Sequence, residues 1–351
     1  MKNLNKLAAL SLICLLLLLG VKESHAQSGK NAGTTAASFL EIGVGSRAVA
    51  LGETYVAIAE GPTAAYWNPA GLGWIRRPEV SVMHMDWVAD IDMQNVAFAL
   101  PLPNEFTLGF MLTNLGVPED KIRTVDDPEG LSGEVFDANS IALAVHASRQ
   151  FTDRFSVGLG VKYINESILN ESASALALDM GVLVKTGFLN NMTLGMSISN
   201  FGSELQFSGE DLDRTIADRE DIGGTNQNIP AEFTTGSFAL PLIFRMGVAM
   251  NVIETNAQKL LVSVEGLHPN NTSEYVNIGG EYVITRFRKF GEFAVRGGYN
   301  ALFMEDSQQG LHLGGGLSLY ISEKFSVAID YAYADYEFFG GLHRYSVDFK
   351  F

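Results

Sequence analysis

The chain has 351 residues, 47% of them hydrophobic, with 24 basic and 40 acidic residues and a formal charge of −16. That excess of acid excludes nucleic acid as a partner, because such affinity comes from neutralising phosphates with lysine and arginine. The single cysteine, Cys14, lies in the first apolar run, so the remainder of the chain has no disulfide, thiolate metal site or cysteine nucleophile.

Lys2 and Lys6 precede an apolar run of 15 residues, Leu7 to Val21, followed by Ser24-His25-Ala26. The pattern predicts a signal peptide over residues 1–26, cleaved before Gln27. No later segment reaches about 18 uninterrupted apolar residues, so no helical membrane span is expected. Cleavage leaves 21 basic and 39 acidic residues, a formal −18.

Residues 27–78 form a second unit without period-two alternation. Within it, Pro62 after Gly61 suits the first position of a short helix running through Tyr66. Asn68-Pro69 can cap and open a further turn that Gly71 and Gly73 end. The run Tyr66-Trp67-Asn68-Pro69-Ala70 therefore makes compact bends, and the unit is long enough to fold back into a barrel as a plug. Leu40, Ile42, Tyr66 and Trp67 give it an apolar face. Phe39, Leu51, Tyr55 and Ile58 are the residues of that face that could line an apolar ligand. Gly43-Val44-Gly45-Ser46-Arg47-Ala48 also matches G-x-G-x-x-A, but a dinucleotide loop needs a strand, a helix and a parallel second strand around it. Antiparallel alternation follows instead, so no cofactor is expected.

From Glu79 onward the apolar period is two. Phe325, Val327, Ile329, Tyr331 and Tyr333 alternate with Ser326, Ala328, Asp330, Ala332 and Ala334, and Phe155 to Tyr163 and Met192 to Ser199 repeat the pattern. Fourteen such runs lie between 79–87 and 342–351, among them 104–114, 139–149 and 239–253. Connections after even-numbered runs are brief, as at Leu102 to Pro103 and Glu323. Those after odd-numbered runs are mostly long and polar, notably 115–138 and 201–238. An even strand count with alternating short and long connections predicts an antiparallel transmembrane β-barrel over residues 79–351. The two long loops hold many acids, including Glu119, Asp126 and Asp127 in one and Glu210, Asp211 and Asp213 in the other. They lack the Asp-x-Asp-x-Asp-Gly spacing of a calcium loop, and no metal is expected.

A sheet spans hydrocarbon only if it closes on itself. Fourteen strands enclose more space than eight, whose side chains can fill the interior themselves. Parity directs Lys162, Asp179, Arg245, Glu265, Glu281, Arg296, Asp330, Asp348 and Lys350 to the lumen. Mixed charge fits a plugged polar interior better than a selective ion channel, where one sign dominates. In the last strand Tyr345, Val347, Phe349 and Phe351 share one parity, and the terminal aromatic resembles the signal read by barrel-assembly machinery.

Ser46-Arg47-Ala48, Ala50-Leu51-Gly52, Tyr55-Val56-Ala57-Ile58-Ala59 and Asn68-Pro69-Ala70-Gly71-Leu72 together look like the N-terminal signature of the PorV/PorQ family, within the wider FadL-like group of outer-membrane barrels. His84, Trp87 and Asp90-Ile91 add to the likeness. The resemblance implies a barrel in the outer membrane of a Gram-negative bacterium, plugged by a segment bearing Ser46, Arg47, Tyr66, Trp67, Asn68, Pro69 and Ala70. Both termini would be periplasmic and the long loops extracellular. For a PorV-like member it implies a role in type IX protein secretion, with partners among the secretion components and the C-terminal domains of their substrates. The alternative is a FadL-like channel for long-chain fatty acids or other hydrophobic small molecules. Either way outer-membrane lipid surrounds the barrel.

No catalytic constellation stands out. His84, His146, His268, His312 and His343 are scattered, and neither an H-E-x-x-H pair nor a G-x-S-x-G elbow occurs. His84 beside Asp86 and Asp90 reads as a structural hydrogen bond near the rim. Trp74, Trp87, Tyr331 and Tyr333 read as interfacial or lipid-facing aromatics. The chain is not expected to be an enzyme.

Overall fold

Alternating side chains can bury one face and expose the other only in extended backbone, and the period-two runs do form strands. The computed structural model describes residues 33–216, 229–287, 291–304 and 307–351. The predicted signal peptide and its cleavage site lie outside the described residues. Fourteen antiparallel strands form one closed barrel. They are β1 Glu79–Asp86, β2 Asp92–Leu102, β3 Phe106–Lys121, β4 Val135–Thr152, β5 Phe155–Ile168, β6 Glu171–Lys185 and β7 Thr193–Gly202, followed by β8 Ile243–Glu254, β9 Gln258–Pro269, β10 Tyr275–Phe287, β11 Gly291–Leu302, β12 Gln309–Tyr320, β13 Ser326–Tyr336 and β14 Gly340–Lys350. Each pairs with its neighbours in sequence, and β14 returns to β1 with Phe349 opposite Val80.

In β5 the inward Ser156, Gly158, Gly160 and Lys162 are buried, while Leu159 and Val161 are more than half exposed. The same outward row continues through Leu143 and Val145 on β4 and Leu176 and Leu178 on β6. A continuous apolar outer belt of this kind suits hydrocarbon and would be an aggregation hazard in water.

Several boundaries differ from expectation. β3 and β4 run on beyond the apolar parity to the pair Lys121–Val135, after a register shift between Val117 and Asp120. The predicted 115–138 loop thus shrinks to 122–134. The reason is solvation: above the belt a hairpin needs backbone pairing but no apolar face, so alternation stops before the strands do. Asp127 closes that tip by accepting the Leu131 and Ser132 backbone N–H groups at 2.9 and 2.7 Å, bonds that hold its carboxyl below the ordinary range. The strand expected from 239 begins at Ile243 instead. Pro241 lacks the ladder donor, and Leu240 before it turns inward beside Phe39 and Leu40. Within 201–238, Leu205–Gln206 pairs with Ser237–Phe238, and Asp213–Ile216 with Ile229–Glu232.

Residues 38–75 lie inside the barrel as a chain of short turns: a 3-10 turn Ser38–Glu41, helix α1 Ser46–Ala50, helix α2 Ala64–Trp67 and a 3-10 turn Pro69–Trp74. The segment starts at the end where the long loops are, with Thr35 paired to Ala239. It leaves at the end with the short turns, where the Phe351 N–H donates to the Pro78 carbonyl at 3.0 Å. Thr35 and the C-terminus therefore lie at opposite ends of the barrel, and the predicted mature N-terminus, Gln27, lies outside the described residues.

Wall glycines let this segment approach. A Cβ on Gly158 would run into the Pro69 carbonyl, one on Gly181 into Asn68, one on Gly195 into Val56, and one on Gly279 into the Leu51 carbonyl. Gly158→Ala and Gly279→Ala are each expected to cost about 1–3 kcal/mol through overpacking. Gly266→Ala should cost little, because its nearest neighbour, the Met246 carbonyl oxygen, would lie 3.9 Å from the new Cβ. The temperature at which the folded band is lost in heat-modifiable gel migration reads the difference. Equal temperatures for all three variants would contradict this packing.

Candidate functional site: the plugged lumen

The Trp-Asn-Pro-Ala run is where the plug ties to itself and to the wall. Asn68 caps the Pro69–Trp74 turn by accepting the Ala70 N–H at 3.1 Å, and Pro69 opens the turn where no donor is needed. The other half of the Asn68 amide donates to the Val56 carbonyl at 2.8 Å and to the Val182 carbonyl of β6 at 3.0 Å. Trp67 Nε1 donates to Val44 O at 2.8 Å, and the Tyr66 hydroxyl donates to Leu40 O at 2.9 Å. Wall serines satisfy two further carbonyls: Ser197 donates to Trp67 O at 2.9 Å, and Ser156 to Ala70 O at 2.9 Å. Gly71 and Gly73 lie within the turn and do not end it. Gly71 is small because the Ala59 carbonyl presses against it.

Arg47, at the start of α1, carries the strongest tether. Its guanidinium donates two hydrogen bonds to the Glu281 carboxylate of β10, both 2.8 Å, and also pairs with Glu60 of the plug. Arg296 of β11 donates to Glu281 at 2.6 Å and pairs with Asp330 of β13. A chain of charges thus runs from the plug across three wall strands. Beside it, the Ser46 N–H donates to the Ser346 hydroxyl at 3.2 Å.

A second group sits on the opposite wall. Lys162 Nζ lies 3.1 Å from the Asp179 carboxylate and donates to Asn200 Oδ1 at 2.6 Å, while His146 Nε2 lies 3.2 Å from Asp179. The β6–β7 register shifts between Leu178 and Met180, and the Asn200 backbone N–H turns to the Asp179 side chain at 2.8 Å. The carboxylate takes over a donor that the ladder loses. Arg245 faces the Tyr66 and Trp67 rings at 5.7 and 5.5 Å, and lies 3.8 Å from Glu265, which accepts the Val56 N–H at 2.9 Å. Seven of the residues directed to the lumen by parity are buried there. Asp348 and Lys350 are partly exposed near the short-turn mouth, where Lys350 lies 3.4 Å from Glu79.

The four candidate ligand-lining residues do not share one pocket. Phe39 packs with Leu40 on Ala142, Ala173, Ala175 and Ala177 at the long-loop end. Leu51 and Tyr55 belong to the central cluster around Trp67, and Ile58 borders a cavity at the short-turn end. At the barrel surface, Tyr345 packs at a tilt against Tyr331 with centroids 5.5 Å apart, Phe351 does the same against Phe325 at 5.5 Å, and Phe349 lies partly buried opposite Val80. Trp74 and Trp87, expected at the lipid interface, both turn inward. Trp74 meets Lys185, and Trp87 packs edge-on against Tyr336 at 5.4 Å. At the rim His84 Nε2 lies 3.0 Å from Asp86, and the second acid near it is Asp92, not Asp90.

Sequence reasoning passed over Glu60, Asn200, His146 and Arg344 as lumen groups. His146 and Arg344 share the inward parity of their strands, so alternation could have found them. Glu60 lies in the aperiodic plug, where no period points.

No protein-family model matches the chain. No curated protein matches it. Solved structures do resemble it. The Ralstonia pickettii toluene transporter TbuX is similar at 13% identity over 88% of this chain and 97% of its own, with a TM-score of 0.54. The CymD monoaromatic hydrocarbon channel is similar at 10% identity over 88% and 98%, with a TM-score of 0.57. A Pseudomonas aeruginosa FadL homologue is similar at 10% identity over 87% and 96%, with a TM-score of 0.51. At these identities the likeness is one of fold. That fold is the FadL-like barrel, and the likeness does not reach to PorV or PorQ specifically.

Proposed function

We propose that the chain is an outer-membrane channel for small hydrophobic compounds. The observation that carries this reading is an apolar stopper seated on a wall of small side chains, within a fold shared with toluene transporters. A water-filled porin needs a continuous polar lumen. Here Leu51, Val56, Trp67 and Leu72 are buried across the middle of the barrel. At the long-loop end Phe39 occupies a niche of alanines, and a phenylalanine side chain is a benzyl group. Withdrawal of Phe39 leaves space of the size and polarity of one aromatic hydrocarbon, whose entry is favoured by about 25 cal/mol per Å² of apolar surface buried. The type IX expectation rests on motif likeness alone, and the hydrocarbon transporters among the similar barrels favour the alternative.

Transport by this route requires the plug to move. Uptake of radiolabelled toluene by cells making the protein is expected to exceed uptake by cells making an unrelated barrel of equal abundance, and Phe39→Ala is expected to raise it several-fold. No excess over the unrelated barrel would overturn the proposal. The Arg47–Glu281 pair should resist that movement. Removing one partner of a buried ion pair costs about 3–5 kcal/mol, because the other charge is left uncompensated. Ala48→Cys, placed on a plug residue that is 1% exposed in a chain whose only cysteine is Cys14, should react slowly with a maleimide. Adding Glu281→Gln is expected to speed labelling at least tenfold while the barrel keeps its folded gel mobility.

A further inference from the structure

On the first hairpin the outward row of side chains changes character where the apolar belt ends. Val82 of β1 faces Val96 of β2, the next outward pair is His84 with Gln94, and the last is Asp86 with Asp92. His84 Nε2 lies 3.0 Å from the Asp86 carboxylate, and one ligand atom from each of His84, Asp86 and Asp92 falls within 4.8 Å of the other two. A structural hydrogen bond accounts for His84 and Asp86 alone. It leaves out Asp92, whose carboxylate has no hydrogen bond or ion pair among the described residues and stands directly across the ladder from Asp86. Like charges in that position repel. Among the described residues no lysine or arginine pairs with either aspartate. The frame beneath them is pinned: Met85 and Met93, on the inward face of the same hairpin, are fully buried, and the Trp87 N–H closes it by donating to the Ile91 carbonyl at 2.7 Å.

One imidazole nitrogen and two carboxylates converging from a two-stranded ladder are the donor set of an open divalent-metal site. We propose that His84, Asp86 and Asp92 bind one zinc ion or a similar first-row divalent cation, His84 through Nε2 and each aspartate through one oxygen. Ligands about 2.1 Å from a tetrahedral ion stand about 3.4 Å from one another, so small side-chain rotations bring all three into its shell. The nitrogen ligand favours such ions over magnesium and calcium, which take oxygen. All three side chains are exposed, so the fourth position is open to water or to an exchangeable ligand. Charge supplies the driving force: the cation turns the repulsion between Asp86 and Asp92 into a clamp across the mouth of the hairpin. Neither acidic loop takes part, because the ligands lie two apart on one strand and opposite on the next, not along a loop.

Calorimetric titration with zinc chloride tests the site, using the purified barrel in nonionic detergent, free of added histidines and first stripped with a chelator. Zinc is expected to bind saturably at one equivalent per chain, and excess magnesium to leave that binding intact. His84→Ala and Asp92→Asn should each weaken it about tenfold, equivalent to ~1.4 kcal/mol. Asp90→Asn, in the adjoining turn, should not. Nor should His268→Gln, which removes another exposed histidine–carboxylate pair, His268 with Glu274 at 2.9 Å. The four substituted positions are exposed, so every variant is expected to keep its folded gel mobility. Absence of saturable binding, displacement of zinc by equimolar magnesium, or unchanged affinity when His84→Ala and Asp92→Asn are combined would each overturn the proposal. The readout is independent of toluene uptake, so either reading can fail without the other.

Discussion

Hydrocarbon offers backbone amides no partner, and that single deficit organises this molecule. Each strand must find two neighbours, so the sheet must end where it began, with β14 against β1. Closure at fourteen strands then creates the second problem, an interior too wide for its own side chains to fill. The plug answers it. Its short turns expose many carbonyls and amides, and these are met by wall serines, by Asn68 and by ring N–H and hydroxyl groups of its own. The lumen is polar because irregular backbone inside it must be satisfied, while its core is apolar because the plug must still pack.

The charges follow the same logic. A lone buried charge is costly, and a pair is tolerated when geometry and hydrogen bonds are good. Arg47, Glu281, Arg296 and Asp330 form such a chain, and so do Lys162, Asp179 and His146. What these groups gain for the fold is position more than raw stability, since each bond fixes one plug element against particular strands.

The barrel was legible in the sequence because its two faces meet opposite solvents, and period-two alternation records that contrast along every strand. The lumen charges were legible for the same reason, from Lys162 through Asp330. Where the contrast vanishes the reading stops. β3 and β4 continue in water beyond Val117 and before Asn139 with no alternating signal. Trp74, at the end of a plug turn, and Trp87, just past β1, misled because an aromatic near a barrel mouth suits either an interface or a plugged lumen, and only tertiary packing decides. The bends at Asn68-Pro69 were readable from local capping chemistry. Their wall partners were not, since Ser156, Val182 and Ser197 lie far along the chain.

The plug begins at one mouth and is anchored to β1 at the other, which makes the polypeptide a thread passed through a ring of its own making. Such an arrangement has a mechanical direction. The Pro78 side cannot retreat without peeling the seam where β1 meets β14, whereas the Thr35 side is held by a bridge to Ala239 and the side-chain contacts around Asn271. Unthreading therefore starts at the long-loop mouth and proceeds inward, toward the end that the β1 seam holds fast.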